Sequence, residues 1–222
     1  MDVTVFGAAG PTGVWICREA LRAGHRVRAV SRRPDAVPVP SSPQLIQVRA
    51  DAVTGDGVDA AVDGADAVLS TLGAAYTHRE MSVYSAGTRT IVEALRRTGR
   101  GRRVVVVSSG LTYPPPRGMG VIADNIIFPL LRNVIGRTLY ADMRRMEEYL
   151  RVTEDIEWTV MRPGRLCDEP SVSDYRVDAE HPTQGYTARA DLAAAMVAEL
   201  DAATAHVRQA VAPTTRRSSG DD

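Results

Sequence analysis

Short apolar runs rich in valine alternate along this chain with stretches of helical period. Val3–Phe6, Arg26–Val30, Leu45–Val48, Ala67–Thr71, Arg103–Ser108 and Trp158–Met161 are brief and bounded by turn-forming residues, which predicts strands. Between them, Val14–Ala23 (ended by Gly24), Val53–Val62, Ser82–Arg97 and Thr138–Arg151 predict helices. Ile91, Val92 and Leu95 follow helical spacing, as do Met143, Met146, Tyr149 and Leu150. Val104 to Val107 is an unbroken apolar run, suited to a strand covered on both faces. This alternation predicts an α/β fold, a doubly wound and mostly parallel sheet of Rossmann type, in a single domain over residues 1–213. Pro34 to Pro43 reads as a proline-rich loop, and the polar stretch Thr214–Asp222 as a disordered tail.

One stretch breaks the rhythm. Gly118 to Leu139 is apolar, carries a single Pro129, and is too interrupted to span a bilayer. A lid, a wall of a substrate pocket, an oligomer surface or plain packing inside the monomer are all open for it. Charge adds no macromolecular partner: 27 basic residues balance 27 acidic ones, so neither nucleic acid nor an anionic membrane is expected. A small-molecule substrate and a monomer or homodimer are the expectation. Two cysteines, Cys17 and Cys167, are too few for a disulfide framework. With no signal peptide expected, this fits a reduced, cytoplasmic setting. Every basic residue is arginine, which removes any mechanism requiring a lysine amine.

The first candidate chemistry lies at the end of the first predicted strand. Gly7-Ala8-Ala9-Gly10-Pro11-Thr12-Gly13 has G-x-x-G-x-x-G spacing, with a strand before it and a helix after it. That context suits a dinucleotide: Gly7 for the tight turn, Gly10 for close backbone approach to a pyrophosphate, and Gly13 for close helix packing. Pro11 has no N–H, so Thr12 is the better donor. After the second strand, where an acidic residue would hold ribose hydroxyls, the chain has Ser31-Arg32-Arg33. Arginine forks suit a 2′-phosphate, so NADP(H) is expected over NAD; two solvated arginines are the competing reading. Asp51 either faces the adenine or caps a helix.

These stretches, with L-S-T-L-G-A ending strand four, V-V-V-S-S-G ending strand five, Y-A-D-M-R-R-M-E-E-Y-L, E-W-T-V-M-R-P-G-R-L and Y-T-A-R-A-D-L-A, carry a resemblance. The chain resembles the atypical short-chain dehydrogenases, in their NAD(P)H-binding, NmrA-like branch, which includes small flavin and biliverdin reductases. The resemblance implies roles by position. Gly7, Gly10, Thr12 and Gly13 would hold pyrophosphate and Arg32, beside Arg33, the 2′-phosphate. Asp51, Leu72 and Gly73 would lie near adenine and its ribose, and Ser108 and Ser109 beside the nicotinamide. Arg162, Pro163 and Gly164 would line the far side.

The standard family site pairs Tyr with Lys four residues later. Here Tyr140 has Arg144. Arginine can set a positive charge near a phenol but relays no proton readily. Tyr140 is then either a proton donor or a packed aromatic, and Tyr113, held by Pro114–Pro116, is a second candidate to reach substrate. Asp142 and Glu147 either orient Arg144 or Arg145 or cap and pair locally. Arg165 stands where flavin-reductase-like relatives tend to carry histidine. His25, His78, His181 and His206 read as surface residues, with no metal spacing among them. The leading expectation is an NADPH-dependent oxidoreductase passing hydride to a planar acceptor such as a flavin or quinone, with Ser109, Tyr140, Tyr113 and Arg144 as the catalytic candidates. Two alternatives stay open: a non-catalytic NADP(H)-binding redox sensor, and a tailoring enzyme (epimerase, dehydratase or cyclase) using NADP without net redox change.

Overall fold

A computed structural model of the chain describes residues 1–33, 37–77, 79–98, 100–116, 118 and 120–216. The valine run explains the architecture. In β5 (Arg103–Val107), Val104 and Val106 pack into one core, while Val105 packs into another on the opposite face. Alternate side chains of a strand point to opposite faces, so a run apolar at every position needs cover on both. One cover is made by α3 (Val83–Thr98) and α5 (Arg137–Arg151), through Ile91, Leu95, Met143 and Met146. The other is made by α1 (Pro11–Arg22) and α6 (Arg189–Ala198), through Ile16, Cys17, Leu192 and Met196. Burial pushes the Cys17 thiol up to about 12, so it stays protonated in that core.

The sheet adds β1 (Asp2–Phe6), β2 (Arg26–Ser31), β3 (Leu45–Arg49), β4 (Ala67–Ser70), β6 (Glu157–Met161), β8 (Arg176–Ala179) and β10 (Gln209–Thr214). Its order is β3-β2-β1-β4-β5-β6-β10-β8, parallel throughout except for the antiparallel pair β10–β8. A separate parallel pair joins β7 (Arg165–Cys167) to β9 (Tyr186–Ala188). The doubly wound α/β expectation is met.

Boundaries move where backbone chemistry overrides periodicity. α1 begins at Pro11, three residues before its first periodic apolar residue, because Gly10 caps it in extended conformation and Pro11 takes the first helical position. The helix expected over Val53–Val62 shrinks to α2 (Val58–Val62), because Gly55 and Gly57 hold left-handed φ of +88° and +72° ahead of it. The expected tail starts too early. Thr214 is the last residue of β10 and donates to Asp178 (2.6 Å); Thr215 is buried, donates to Asp191 (2.5 Å) and accepts from the Ala188 N–H (2.7 Å). Asp191 also holds Ser173 through its N–H and hydroxyl. Residues 217–222 of the expected tail, His78, and residues 34–36 of the proline-rich loop lie outside the described residues.

The segment of open role is helical. It comprises π-helical turns at Ala123–Ile127 and Leu131–Ile135 around α4 (Phe128–Leu130). Packing inside the monomer does not absorb it: Val121 is 80% exposed, and Ile122, Ile126, Leu130 and Val134 are all exposed. No helix among the described residues is long and apolar enough to cross a membrane.

Candidate active site

The sheet order reverses direction between β1 and β4, and loops leaving a reversal point part to open a crevice beyond the strand ends. The glycine turn sits there. Gly7 has φ +78°, and a Cβ on it would lie 2.6 Å from the Thr71 carbonyl oxygen. A Cβ on Gly13 would lie 2.2 Å from the Gly7 carbonyl oxygen, so α1 starts pressed against the turn itself. Around Gly10 only the Gly7 carbonyl oxygen comes near, at 3.3 Å, which leaves its other side open. Thr12 and Gly13 offer first-turn N–H groups that no helical carbonyl can reach. The crevice has a volume of about 1050 Å³, ample for a dinucleotide-sized ligand.

The predicted cofactor residues mostly converge there. Gly7, Gly10, Thr12, Gly13, Arg32, Arg33, Asp51, Leu72, Gly73 and Ser108 all line the crevice. Arg32 and Arg33 are exposed at its rim, and no carboxylate among the described residues pairs with either. Asp51 is a turn cap: its Oδ1 accepts from the N–H of Val53 (2.8 Å) and Thr54 (3.4 Å). Ser108 lines the crevice, but its hydroxyl is committed to Glu147 Oε1 (2.6 Å) and meets Thr112 Oγ1 (2.9 Å). Pro163 does not line it. It is buried, and its carbonyl accepts from the Gly110 N–H (2.9 Å), tying the loop after β5 to the end of β6.

The four catalytic candidates fare differently from these: none lines the crevice. Tyr140 is buried, its hydroxyl 3.3 Å from that of Tyr76 and also bonded by Ser109. Burial, then the Tyr76 contact, push its pKa above the ordinary phenol range. Arg144 does not serve Tyr140. Its Nη2 reaches the Thr112 carbonyl (3.5 Å), its guanidinium lies 6.0 Å from the Tyr113 ring, and its Nε is buried without a hydrogen-bond partner. The Tyr–Arg pair at four-residue spacing therefore activates no phenol. Tyr113 is engaged within the fold: its hydroxyl takes a hydrogen bond from Arg151 (3.0 Å), and Arg162 stacks 4.6 Å from its ring.

Glu147 and Asp142 act within the scaffold. Glu147 is 1% exposed and receives Arg162 Nη2 at 2.5 Å and Nε at 3.3 Å, besides Ser108. One carboxylate of α5 thus gathers the ends of β5 and β6. Asp142, fully buried, accepts from the N–H of Tyr84 (2.8 Å) and from the Ser85 hydroxyl, so α5 caps the start of α3. The described histidines stay off the site: His206 bonds buried Glu199 (2.6 Å), and none of His25, His181 and His206 lines the crevice.

Sequence reasoning missed several walls of the crevice, namely Tyr84, Val107, Met143, Leu166 and Arg189. Arg189 opens α6 just after β9, pairs with Asp168 (2.8 Å), and lines the crevice with Arg32 and Arg33. Its only signal was membership in Y-T-A-R-A-D-L-A, a stretch tied to no element in advance.

A family model described as NAD(P)H-binding matches residues 7–203. An uncharacterized chloroplastic protein of Arabidopsis thaliana is 30% identical over 206 residues, covering 89% of this chain and 70% of that protein. A 3-beta-hydroxysteroid dehydrogenase of Mycolicibacterium neoaurum is 32% identical over 120 residues, 49% of this chain and 32% of that protein, so the match spans about a third of its length. A short-chain dehydrogenase/reductase of Veillonella parvula solved with NADP superposes at TM-score 0.77, with 19% identity over 99% of this chain and 95% of that one. A Streptococcus pneumoniae protein named as an NADH-flavin reductase superposes at 0.75, with 23% identity over 97% and 100% of the two chains. At such identities the superpositions speak for the fold.

Proposed function

The chain belongs to the NAD(P)H-binding family, and from that premise we propose that it is an NADPH-dependent oxidoreductase that passes hydride to a planar, readily reduced acceptor of the flavin or quinone class. Its residues fit the nucleotide. Gly10 leaves the backbone open to a diphosphate, and the N–H groups of Thr12 and Gly13 would donate to it. Arg32 and Arg33, exposed at the rim with no carboxylate partner among the described residues, would fork a 2′-phosphate. The NADP named with the Veillonella neighbour agrees with that preference; the NADH in the name of the Streptococcus neighbour marks the competing outcome.

The observation that carries the reaction class is the state of Tyr140. Among the described residues no cation bonds its hydroxyl, and burial raises its pKa. The chain thus lacks the activated phenol that an unactivated ketone would require. The nicotinamide supplies hydride when bound; the chain's own part is placement and exclusion of water. Leu72, Val107 and Met143 give the crevice apolar walls, and Tyr140 holds its proton through the neutral range, donating a hydrogen bond at most. The flavin reductase activity in a neighbour's name points the same way.

The test is direct. Purified protein mixed with NADPH and a panel of flavins and quinones is expected to consume NADPH, seen as loss of its near-ultraviolet absorbance. NADH is expected to be the poorer donor. No loss with any acceptor, despite calorimetric binding of NADPH, would overturn the reductase reading and favour the sensor.

A further inference from the structure

A second cavity, of about 440 Å³, opens beside the exposed apolar helix and is lined by Thr77, Asn133, Val134, Arg137 and Thr138. Two tracks connect it to the main crevice. Along α5, Arg137 and Thr138 line the second cavity, Tyr140 meets Tyr76, and Met143 lines the crevice. Along the loop after β4, Gly73, Ala74 and Ala75 line the crevice, Tyr76 meets Tyr140, and Thr77 lines the second cavity. The phenol pair thus lies, along both segments, between the residues that line one space and those that line the other. Arg137 and Met143 are separated by about 9 Å of rise along α5 and by about a third of a turn around its axis.

The polar groups of this cavity are mostly donors. Asn133 Oδ1 accepts from Arg132 Nε (3.2 Å), which leaves the amide NH₂ to donate. Thr77 Oγ1 accepts from the Arg79 N–H (3.2 Å), which leaves its hydroxyl proton. Arg137 has no hydrogen-bond or ion-pair partner among the described residues. Only Thr138 spends its proton internally, on the Thr77 carbonyl (2.5 Å). Among the described residues no carboxylate lines the space. The remaining wall is Val134, the last of a row that recurs every four residues through Ile122, Ile126 and Leu130, all exposed. A donor-lined pocket at the end of an aliphatic stripe matches an anion that carries an apolar body.

We propose that this cavity binds an anionic amphiphile, with its carboxylate or sulfonate on Arg137, Asn133 and Thr77 and its apolar part along Val134 and the stripe. On the reductase reading, the acceptor is a lipophilic anion whose charged end this cavity holds. That second statement rests on the reductase reading; the binding does not, and it is measured without turnover.

The probe is anilinonaphthalene sulfonate, whose fluorescence rises in an apolar site, with decanoate as competitor. The expected result is binding that decanoate displaces, that NADPH leaves in place, and that Arg137→Gln and Val134→Asp each weaken at least about tenfold. Both positions are exposed, so folding is expected to survive, and NADPH affinity serves as the check. Val121→Asp, on the same helix but outside the cavity, is expected to leave the probe affinity unchanged. Equal weakening by Val121→Asp, displacement by NADPH, or undiminished binding in Arg137→Gln each overturns the proposal. Should the probe behave as expected while no acceptor consumes NADPH, the binding site stands and the reductase reading falls. In the active enzyme, Arg137→Gln is expected to raise KM for a carboxylate-bearing quinone several-fold more than the KM for an uncharged quinone; equal rises for both overturn the placement of the acceptor.

Discussion

At the glycine-turn end, Gly7, Gly10 and Gly13 act through the side chains they lack, and their places are set by backbone carbonyls of Thr71 and Gly7 only ångströms away. At the α5 end, Ser108, Tyr140, Asp142, Glu147 and Arg162 act through partners from 15 to 64 residues distant. The first kind of site is a local property of a strand–turn–helix unit, and spacing alone encodes it. The second exists only once strands β5 and β6 and helix α5 are assembled. A reading of spacing there, such as Tyr140 with Arg144, pairs residues that the fold sends to different neighbours.

The two ends should accordingly break separately. The largest effect is expected from Glu147→Ala, which leaves Arg162 buried without its carboxylate. Loss of one partner of a buried ion pair costs about 3–5 kcal/mol, readable as a fall in the denaturant midpoint. NADPH affinity of the folded fraction should stay within roughly twofold, since well-separated sites act nearly independently. A parallel collapse of affinity would show the ends to be coupled. Gly13→Val comes next: with a Cβ directed 2.2 Å from the Gly7 carbonyl oxygen, it should cost about 1–3 kcal/mol and abolish calorimetric NADPH binding. Retained binding would remove the glycine turn from the site.

Replacing both rim arginines, Arg32→Gln with Arg33→Gln, should weaken NADPH roughly tenfold and leave NADH affinity unchanged, with no loss of stability. Equal loss for both nucleotides would mean that the pair merely attracts anions. Smallest is Tyr140→Phe, at about 0.5–1.5 kcal/mol for the lost hydrogen bonds. Its signature lies in pH. The folded protein holds the Tyr140 proton more tightly than the unfolded chain, whose phenol ionises near pH 10. Stability is thus level below about pH 10 and falls above it as only the unfolded form gains by ionising. Tyr140→Phe should make that alkaline fall shallower; Tyr84, also raised by burial, keeps part of it. An unchanged slope would mean that the phenol is not buried as described.

Six strands and three of the longer helices were legible because each repeats an apolar period long enough to face a core on one or both sides. The strands past Met161 escaped for physical reasons. β7 and β9 have three residues each, and β8 is mostly exposed, so none carries a period. In α6, alanines are buried nearly all round, which erases the contrast that marks a helix. Of the residues that line the crevice, Gly7, Gly10 and Gly13 were legible for the backbone reasons above, and Arg32 and Leu72 by their places after predicted strands. The partners of Tyr140 and Tyr113 were not, because Tyr76 and Arg151 become neighbours only through tertiary packing. Asp191 lay in a stretch tied to no element and Thr215 read as tail, yet Asp191 fastens Thr215 to Ser173.

The position of β10 governs how this protein can be born. It lies between β6 and β8 in the sheet, yet it follows both in the chain. Until residue 214 has left the ribosome, one edge of β6 stays open and β8 has nothing to lie against. Closure of this part of the sheet therefore waits for β10, and a nascent chain stalled before it presents an unpaired parallel edge to whatever chaperone or neighbouring chain meets it first.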